Sequence, residues 1–176
     1  AVVDHADEQV EVLPRDRLEV LDRHQQAAVA LDQHHLAVVA RGGNPGPDCY
    51  SAVGPGANLY AGSVIVLDAK TGTYRAHYEI VPADYHDWDV SATPVVATTR
   101  GGKKHVLIAP KDGHLYGYDA MAHTRRFATP VTTIENIEAP LTKEGTRFCP
   151  GAQGGVEWNG PAYDPKTNLV MTGAAD

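Results

Sequence analysis

Gly62-Ser-Val-Ile-Val-Leu-Asp68-Ala69 and Gly113-His-Leu-Tyr-Gly-Tyr-Asp119-Ala120 decide the architecture. Each places a Gly six residues before an Asp-Ala pair, with apolar or aromatic side chains between, and the copies stand 51 residues apart. β-Branched and aromatic runs bounded by turn residues read as strands. A unit of about 40–50 residues holding several short strands is the signature of a β-propeller blade. Outward from these copies the same punctuation continues. Ser63–Leu67 runs into the turn Asp68-Ala-Lys-Thr-Gly72, and Tyr74–Ile80 can return beside it. Pro94–Thr98 and His105–Ala109 flank Arg100-Gly-Gly-Lys103, and His114–Tyr118 follows Asp112-Gly113, a favoured hairpin pair. Leu169–Thr172 follows Asp164-Pro-Lys-Thr-Asn168. The expectation over 42–176 is all-β, a partial propeller of two to three blades. A ring closes with about four to eight blades, so these residues read as part of a larger one. Alone they would leave strand edges and blade faces uncovered.

The composition breaks at residue 42. Residues 1–41 use nine residue types and contain no Gly, Ser, Thr, Lys or aromatic side chain, whereas all 17 glycines lie from Gly42 onward. This atypical segment holds eight acids and four arginines. Leu18, Val20 and Leu21 near one face, with helix formers from Gln25 to Leu31 and Pro14 ahead of them, predict a helical or disordered stretch. The alternative is a non-native origin: a misread frame, a fusion scar or an unrelated extension.

A formal charge of −7 argues against nucleic acid and against an anionic membrane surface. No apolar run reaches 18 residues and no signal peptide stands at the N-terminus. Cys49 and Cys149 make neither a disulfide framework nor a metal motif, and the nine histidines show no zinc spacing. Nucleophile-elbow, phosphate-loop and dinucleotide motifs are lacking.

Three ordered stretches carry a resemblance. They are Gly43-Asn-Pro-Gly-Pro-Asp48 with Pro55-Gly-Ala-Asn-Leu-Tyr60; Tyr85-His-Asp-Trp-Asp89 with Pro82 and Asp84 before it; and Phe148-Cys-Pro-Gly-Ala-Gln-Gly-Gly-Val-Glu-Trp-Asn-Gly-Pro-Ala-Tyr163. Ala109-Pro-Lys-Asp-Gly113 lies between them. Together they resemble the pyrroloquinoline quinone (PQQ)-dependent alcohol dehydrogenases, quinoproteins built as eight-bladed β-propellers. The likeness covers nearly all of 43–176 and none of 1–41. The Leu67-Asp-Ala-Lys-Thr-Gly72 turn resembles that family's recurring blade motif, with Ala76 near the place of its usual Trp.

What the resemblance implies is specific. Asn44 would ligate a metal ion through its side-chain oxygen. Asp87 would be both metal ligand and catalytic base, taking the alcohol proton as hydride passes to PQQ. Asp89 matches an extra acidic metal-ligand position of the lanthanide-using branch, so the metal reads as a lanthanide(III), with Ca2+ the alternative. Lys111 matches the basic residue at the PQQ C5 oxygen, and Glu157, Trp158 and Asn159 fall in a segment lining the cofactor. A hard cation wants oxygen ligands. Two carboxylates at i and i+2 face one ion only on an extended backbone. The family's glutamate ligand, vicinal disulfide and ring-stacking tryptophan have no match in 1–41, and Cys149 reads as a lone thiol. About half a site is therefore expected here, with little catalysis from the chain in isolation. The implied parent is periplasmic, oxidises a primary alcohol to an aldehyde, passes electrons to a c-type cytochrome and can associate with the membrane.

Each residue also has a plain reading. Turn aspartates such as Asp87 and Asp89 commonly accept backbone N–H groups. Asn44 before Pro45 suits a turn, Lys111 before Asp112-Gly113 suits a solvated hairpin, and Trp158 suits a core. His86 and Asp87, as extended neighbours, would face opposite sides. The rival function is a non-catalytic β-propeller protein-binding module, which predicts no cofactor.

Overall fold

The computed structural model describes residues 60–176, and the backbone pairing of two earlier strands at Ala27–Leu31 and Leu36–Arg41. Those strands, β1 (Ala27–Leu31) and β2 (Leu36–Arg41), form a four-stranded antiparallel meander with β3 (Ser63–Asp68) and β4 (Tyr74–Glu79). A second meander follows: β5 (Val95–Thr98), β6 (Lys104–Ile108), β7 (His114–Asp119) and β8 (Arg125–Pro130). A hairpin of β9 (Ala162–Asp164) and β10 (Leu169–Met171) comes last. Sequential up-and-down sheets are the pattern of successive blades. The first strands of the three units approach one another, β1 to β5 and β5 to β9, as innermost blade strands do.

The helical expectation is corrected over Ala27–Leu31 and Leu36–Arg41; the rest of residues 15–40 lies outside the described residues. Ala27–Leu31 and Leu36–Arg41 are short continuous apolar runs separated by the polar Asp32–His35. A fully buried strand and a helix segment look alike in such a run. Pairing decides it: Val39 stands opposite Ile65 and Val38 opposite Val66, so β-rich neighbours override local helix propensity. The sheet thus crosses the composition break.

The two meanders repeat in detail. Gly62 and Gly113 both have positive φ, at 54° and 83°. The register shifts at Val66/Leu67 and again at Gly117/Tyr118, 51 residues later. After each third strand an aspartate closes the turn. Asp68 accepts the N–H groups of Lys70 and Thr71 and pairs with Arg75 at 2.8 Å. Asp119 accepts those of Met121 and Ala122 and pairs with Arg126 at 2.7 Å. At the end of β9, Asp164 closes a turn in the same way, accepting from Lys166 N–H and the Thr167 hydroxyl. The residue four places on has positive φ each time: Gly72 (70°), His123 (56°) and Asn168 (61°).

The Ala122 amide, and after it the Arg126 guanidinium, hold the Asp119 carboxyl well below the usual range, and Arg75 does the same for Asp68. A depressed folded pKa adds stability that is present above the unfolded value, about 4, and lost as pH falls below it. Asp119→Asn should therefore lower Tm at pH 7 by a few degrees and shrink the fall in Tm between pH 7 and pH 3. Circular-dichroism melts at both pH values check this; an unaltered pH dependence would refute it.

The core lies between the sheets. Val64, Val66, Val106 and Ile108 are essentially inaccessible. Tyr78 of β4 stacks on Tyr118 of β7 at 4.4 Å with 13° between planes, joining the two units. Central strands β3 and β7 are buried on both faces, whereas β8 is exposed throughout.

Candidate functional site

The acidic stretch after β4 alternates strictly. Asp84, His86, Trp88 and Val90 are buried, while Tyr85, Asp87, Asp89 and Ser91 are half-buried on the other side. A period of two puts the Asp87 and Asp89 carboxylates on one face. His86 turns away into the core, as expected for Asp87's neighbour. One position breaks the regular backbone: Asp87 has φ of 66°, a left-handed conformation that Asp tolerates better than most residues.

The carboxylates meet a buried cation. Lys111 Nζ lies 3.0 Å from Asp87 Oδ2 and 3.9 Å from Asp89 Oδ2. The lysine side chain is only 8% exposed, against 37% for Asp87 and 28% for Asp89. The solvated-hairpin reading of Lys111 does not hold. An ammonium shielded in this way interacts with its partners more strongly than a surface pair does.

Three elements place it. Lys111 sits at the β6–β7 turn, where its N–H donates to Asp89 O at 3.1 Å. Asp112 ties the turn down by accepting His114 N–H at 3.0 Å and the Tyr116 hydroxyl. From the far side, Gly155 N–H donates to Lys111 O at 2.8 Å. That approach demands small residues. A Cβ on Gly154 would fall 2.5 Å from Lys111 Cβ, and one on Gly155 would fall 2.9 Å from Gly113 Cα.

The buried face of the acidic stretch is pinned as well. Trp88 stacks on His86 at 4.1 Å, Phe148 closes edge-on against both rings, and the indole N–H donates to Gly151 O at 3.2 Å. Asp84 accepts the backbone N–H groups of His86 and Trp88. Burial holds its carboxyl above the usual carboxylate range, against the opposing pull of those two amides. Burial pushes the His86 imidazole pKa down, favouring the neutral ring. Sequence reasoning gave Asp84, Trp88 and the Gly154-Gly155 pair no positioning part; an Asp two residues ahead of a bend was the available signal.

The other expected site residues are less gathered. Trp158 stands 77% exposed, Asn159 is exposed and Glu157 half-buried. The core reading of Trp158 is therefore overturned. What this loop brings to Lys111 is backbone. Asn44 lies outside the described residues, as does Cys49. Cys149 is a free thiol.

Asp87 and Asp89 offer oxygen donors only, which fits a hard cation, and the shielded Lys111 ammonium fits an electron-rich quinone oxygen. Among the described residues no set of three His, Cys, Asp or Glu side chains converges as a metal cluster. The two aspartates would thus supply part of a ligand set.

Comparison with known proteins gives a consistent result. The family model described as PQQ: Glucose/ethanol/alcohol dehydrogenase, beta-propeller domain matches residues 24–140, across the composition break. The dehydrogenase subunit of the alcohol dehydrogenase (quinone) of Gluconobacter oxydans is 32% identical over 151 residues, covering 73% of this chain and 19% of that protein. The chain spans about a fifth of the length of such curated relatives. Among solved structures, the quinohemoprotein alcohol dehydrogenase of Comamonas testosteroni superposes with a TM-score of 0.68 at 25% identity, over 82% of this chain and 24% of that one. A europium-containing methanol dehydrogenase shares the fold, with a TM-score of 0.68 at 20% identity over 81% of this chain and 28% of that one.

Proposed function

Because the chain belongs to the PQQ β-propeller family of glucose, ethanol and alcohol dehydrogenases, we propose that it is a section of a PQQ-dependent dehydrogenase oxidising a primary alcohol to an aldehyde. The observation that supports this most is the Asp87 and Asp89 pair, carried on one face of an extended stretch toward the shielded Lys111 ammonium. PQQ, when bound, supplies the acceptor for two electrons. Asp87 takes the proton from the alcohol oxygen, a task that suits a carboxylate within hydrogen-bond reach of the substrate. Asp89 and, by resemblance, Asn44 would offer oxygens to the metal ion together with Asp87. Two carboxylates favour a lanthanide(III), since a trivalent ion gains more from each added negative charge; Ca2+ is the alternative. Lys111 would offer an N–H donor to the quinone oxygen and stabilise charge developing there. Glu157, Trp158 and Asn159 would line the cofactor's margin, with the exposed Trp158 face available for a flat ring. Residues outside 42–176 complete the ring and the ligand set. The electron acceptor is a c-type cytochrome, and the site of action is the periplasm, with membrane association in the longer protein.

The test is reconstitution of the polypeptide that carries this chain. With PQQ and either La3+ or Ca2+ it should retain PQQ through gel filtration and reduce an artificial dye only when a primary alcohol is added. Chelating the metal should abolish turnover, and adding the ion back should restore it. A protein that retains no PQQ under either metal would sink the reading and leave a non-catalytic binding propeller.

A further inference from the structure

We propose that Asp84 is the positioning residue for the Asp87, Asp89 and Lys111 trio, setting the backbone that aims both outer carboxylates; the proposal rests on the reading of that trio as this chain's share of the active site. Asp84 is 3% exposed. Its Oδ1 accepts the His86 N–H at 2.8 Å and its Oδ2 accepts the Trp88 N–H at 2.6 Å. The Asp87 residue lies between those two amides. With both held by one rigid carboxylate, the chain passes through Asp87 in its left-handed conformation, φ 66°, and the carboxylate swings out to Lys111.

The choice of side chain is informative. Burying a carboxylate costs several kcal/mol unless its oxygens are well satisfied. A serine or asparagine would cap one of these amides with less desolvation. Only a carboxylate presents two acceptor oxygens at fixed spacing to two N–H groups that are two residues apart. An asparagine would turn an NH2 donor against one of the N–H donors. Strained conformations such as that of Asp87 persist only where surroundings over-determine them. Asp84 on the backbone, with Trp88 clamped by His86, Phe148 and Gly151 O, does so here. Groups that orient ligands from behind commonly change affinity about 10- to 100-fold when removed.

The experiment compares wild type with Asp84→Asn and Asp84→Ser, using Ser63→Ala as a control for loss of a buried polar contact elsewhere. Two readouts are taken on the full polypeptide that carries this chain. The first, free of metal and cofactor, is the NMR cross-peak between the Asp87 Hβ and Lys111 Hε protons. The second is Tb3+ luminescence sensitised through tryptophan, with Asp87→Asn/Asp89→Asn as its blank. Asp84→Asn should lose the cross-peak and bind Tb3+ about tenfold more weakly, while β6–β7 cross-peaks persist; Asp84→Ser should show a smaller loss, and Ser63→Ala none. If Asp84→Asn fails to fold, Asp84→Ser decides by the same cross-peak. A cross-peak of undiminished intensity in a folded Asp84 variant overturns the proposal. If wild type shows no Tb3+ signal above the blank, the metal reading of the trio fails by itself, and the cross-peak still decides the part Asp84 plays.

Discussion

Asp87→Asn should cut alcohol-dependent dye reduction by the PQQ-loaded polypeptide about 10²- to 10⁴-fold, with far less change in KM. The amide has the size of the carboxylate and keeps a donor-acceptor face toward Lys111, so the 84–91 stretch stays in place. It cannot accept the alcohol proton, and that loss falls on kcat. Asp89→Asn removes negative charge from the metal without touching the base, so it should raise the metal concentration needed for half-maximal activity and leave kcat at saturating metal largely intact, whereas the kcat loss of Asp87→Asn should persist at saturating metal. Steady-state kinetics at several La3+ and Ca2+ concentrations separate the two. Should Asp87→Asn keep full turnover while Asp89→Asn loses it at every metal concentration, the proton goes to Asp89 and the assignments exchange.

The second large effect is on stability. Trp88 is 5% exposed, lies between His86 and Phe148, and spends its indole N–H on Gly151 O. Trp88→Ala should cost about 3–5 kcal/mol in urea unfolding, as expected when a large buried ring leaves a cavity. Trp88→Phe keeps most of the apolar volume and should cost much less, with the lost hydrogen bond contributing about 1 kcal/mol. The same variant pair tests whether the 148–155 loop is held from this side: Trp88→Ala should speed amide exchange at Gly155, the donor to Lys111. A change below 1 kcal/mol for Trp88→Ala would show that the ring is not the anchor described.

Strands that bury one or both faces between clear turns were legible in the sequence. Ser63–Asp68, Lys104–Ile108 and His114–Asp119 fall within a residue of expectation, because β-branched runs and Asx-type turns bound them. Arg125–Pro130 was not, since an outer strand exposed on every residue has no apolar alternation to read. Ala27–Leu31 and Leu36–Arg41 were misread because alanine-rich apolar runs do not declare their period; the pairing of Leu36–Arg41 with Ser63–Asp68 does. In the site, a shared face for Asp87 and Asp89 was legible only on the condition of an extended backbone, and Lys111 entered by resemblance, with its ion pairs to the two aspartates left for the structure to show. What sequence could not show was the inward face. Asp84 looks like any turn aspartate until the two amides it accepts are seen, and Gly154-Gly155 looks like any flexible loop until Lys111 lies against it.

The peptide of Lys111 is a junction: its N–H reaches back to Asp89 and its carbonyl forward to Gly155. On the ribosome these three pieces emerge in order, the acidic stretch first, the lysine turn next and the glycine loop last. A nascent chain halted after β8 already carries both aspartates and the lysine, yet the lysine carbonyl still lacks its donor. The Lys111 peptide therefore has both of its partners only once residue 155 is present, and the turn that carries the lysine is the last of the three pieces to be completed.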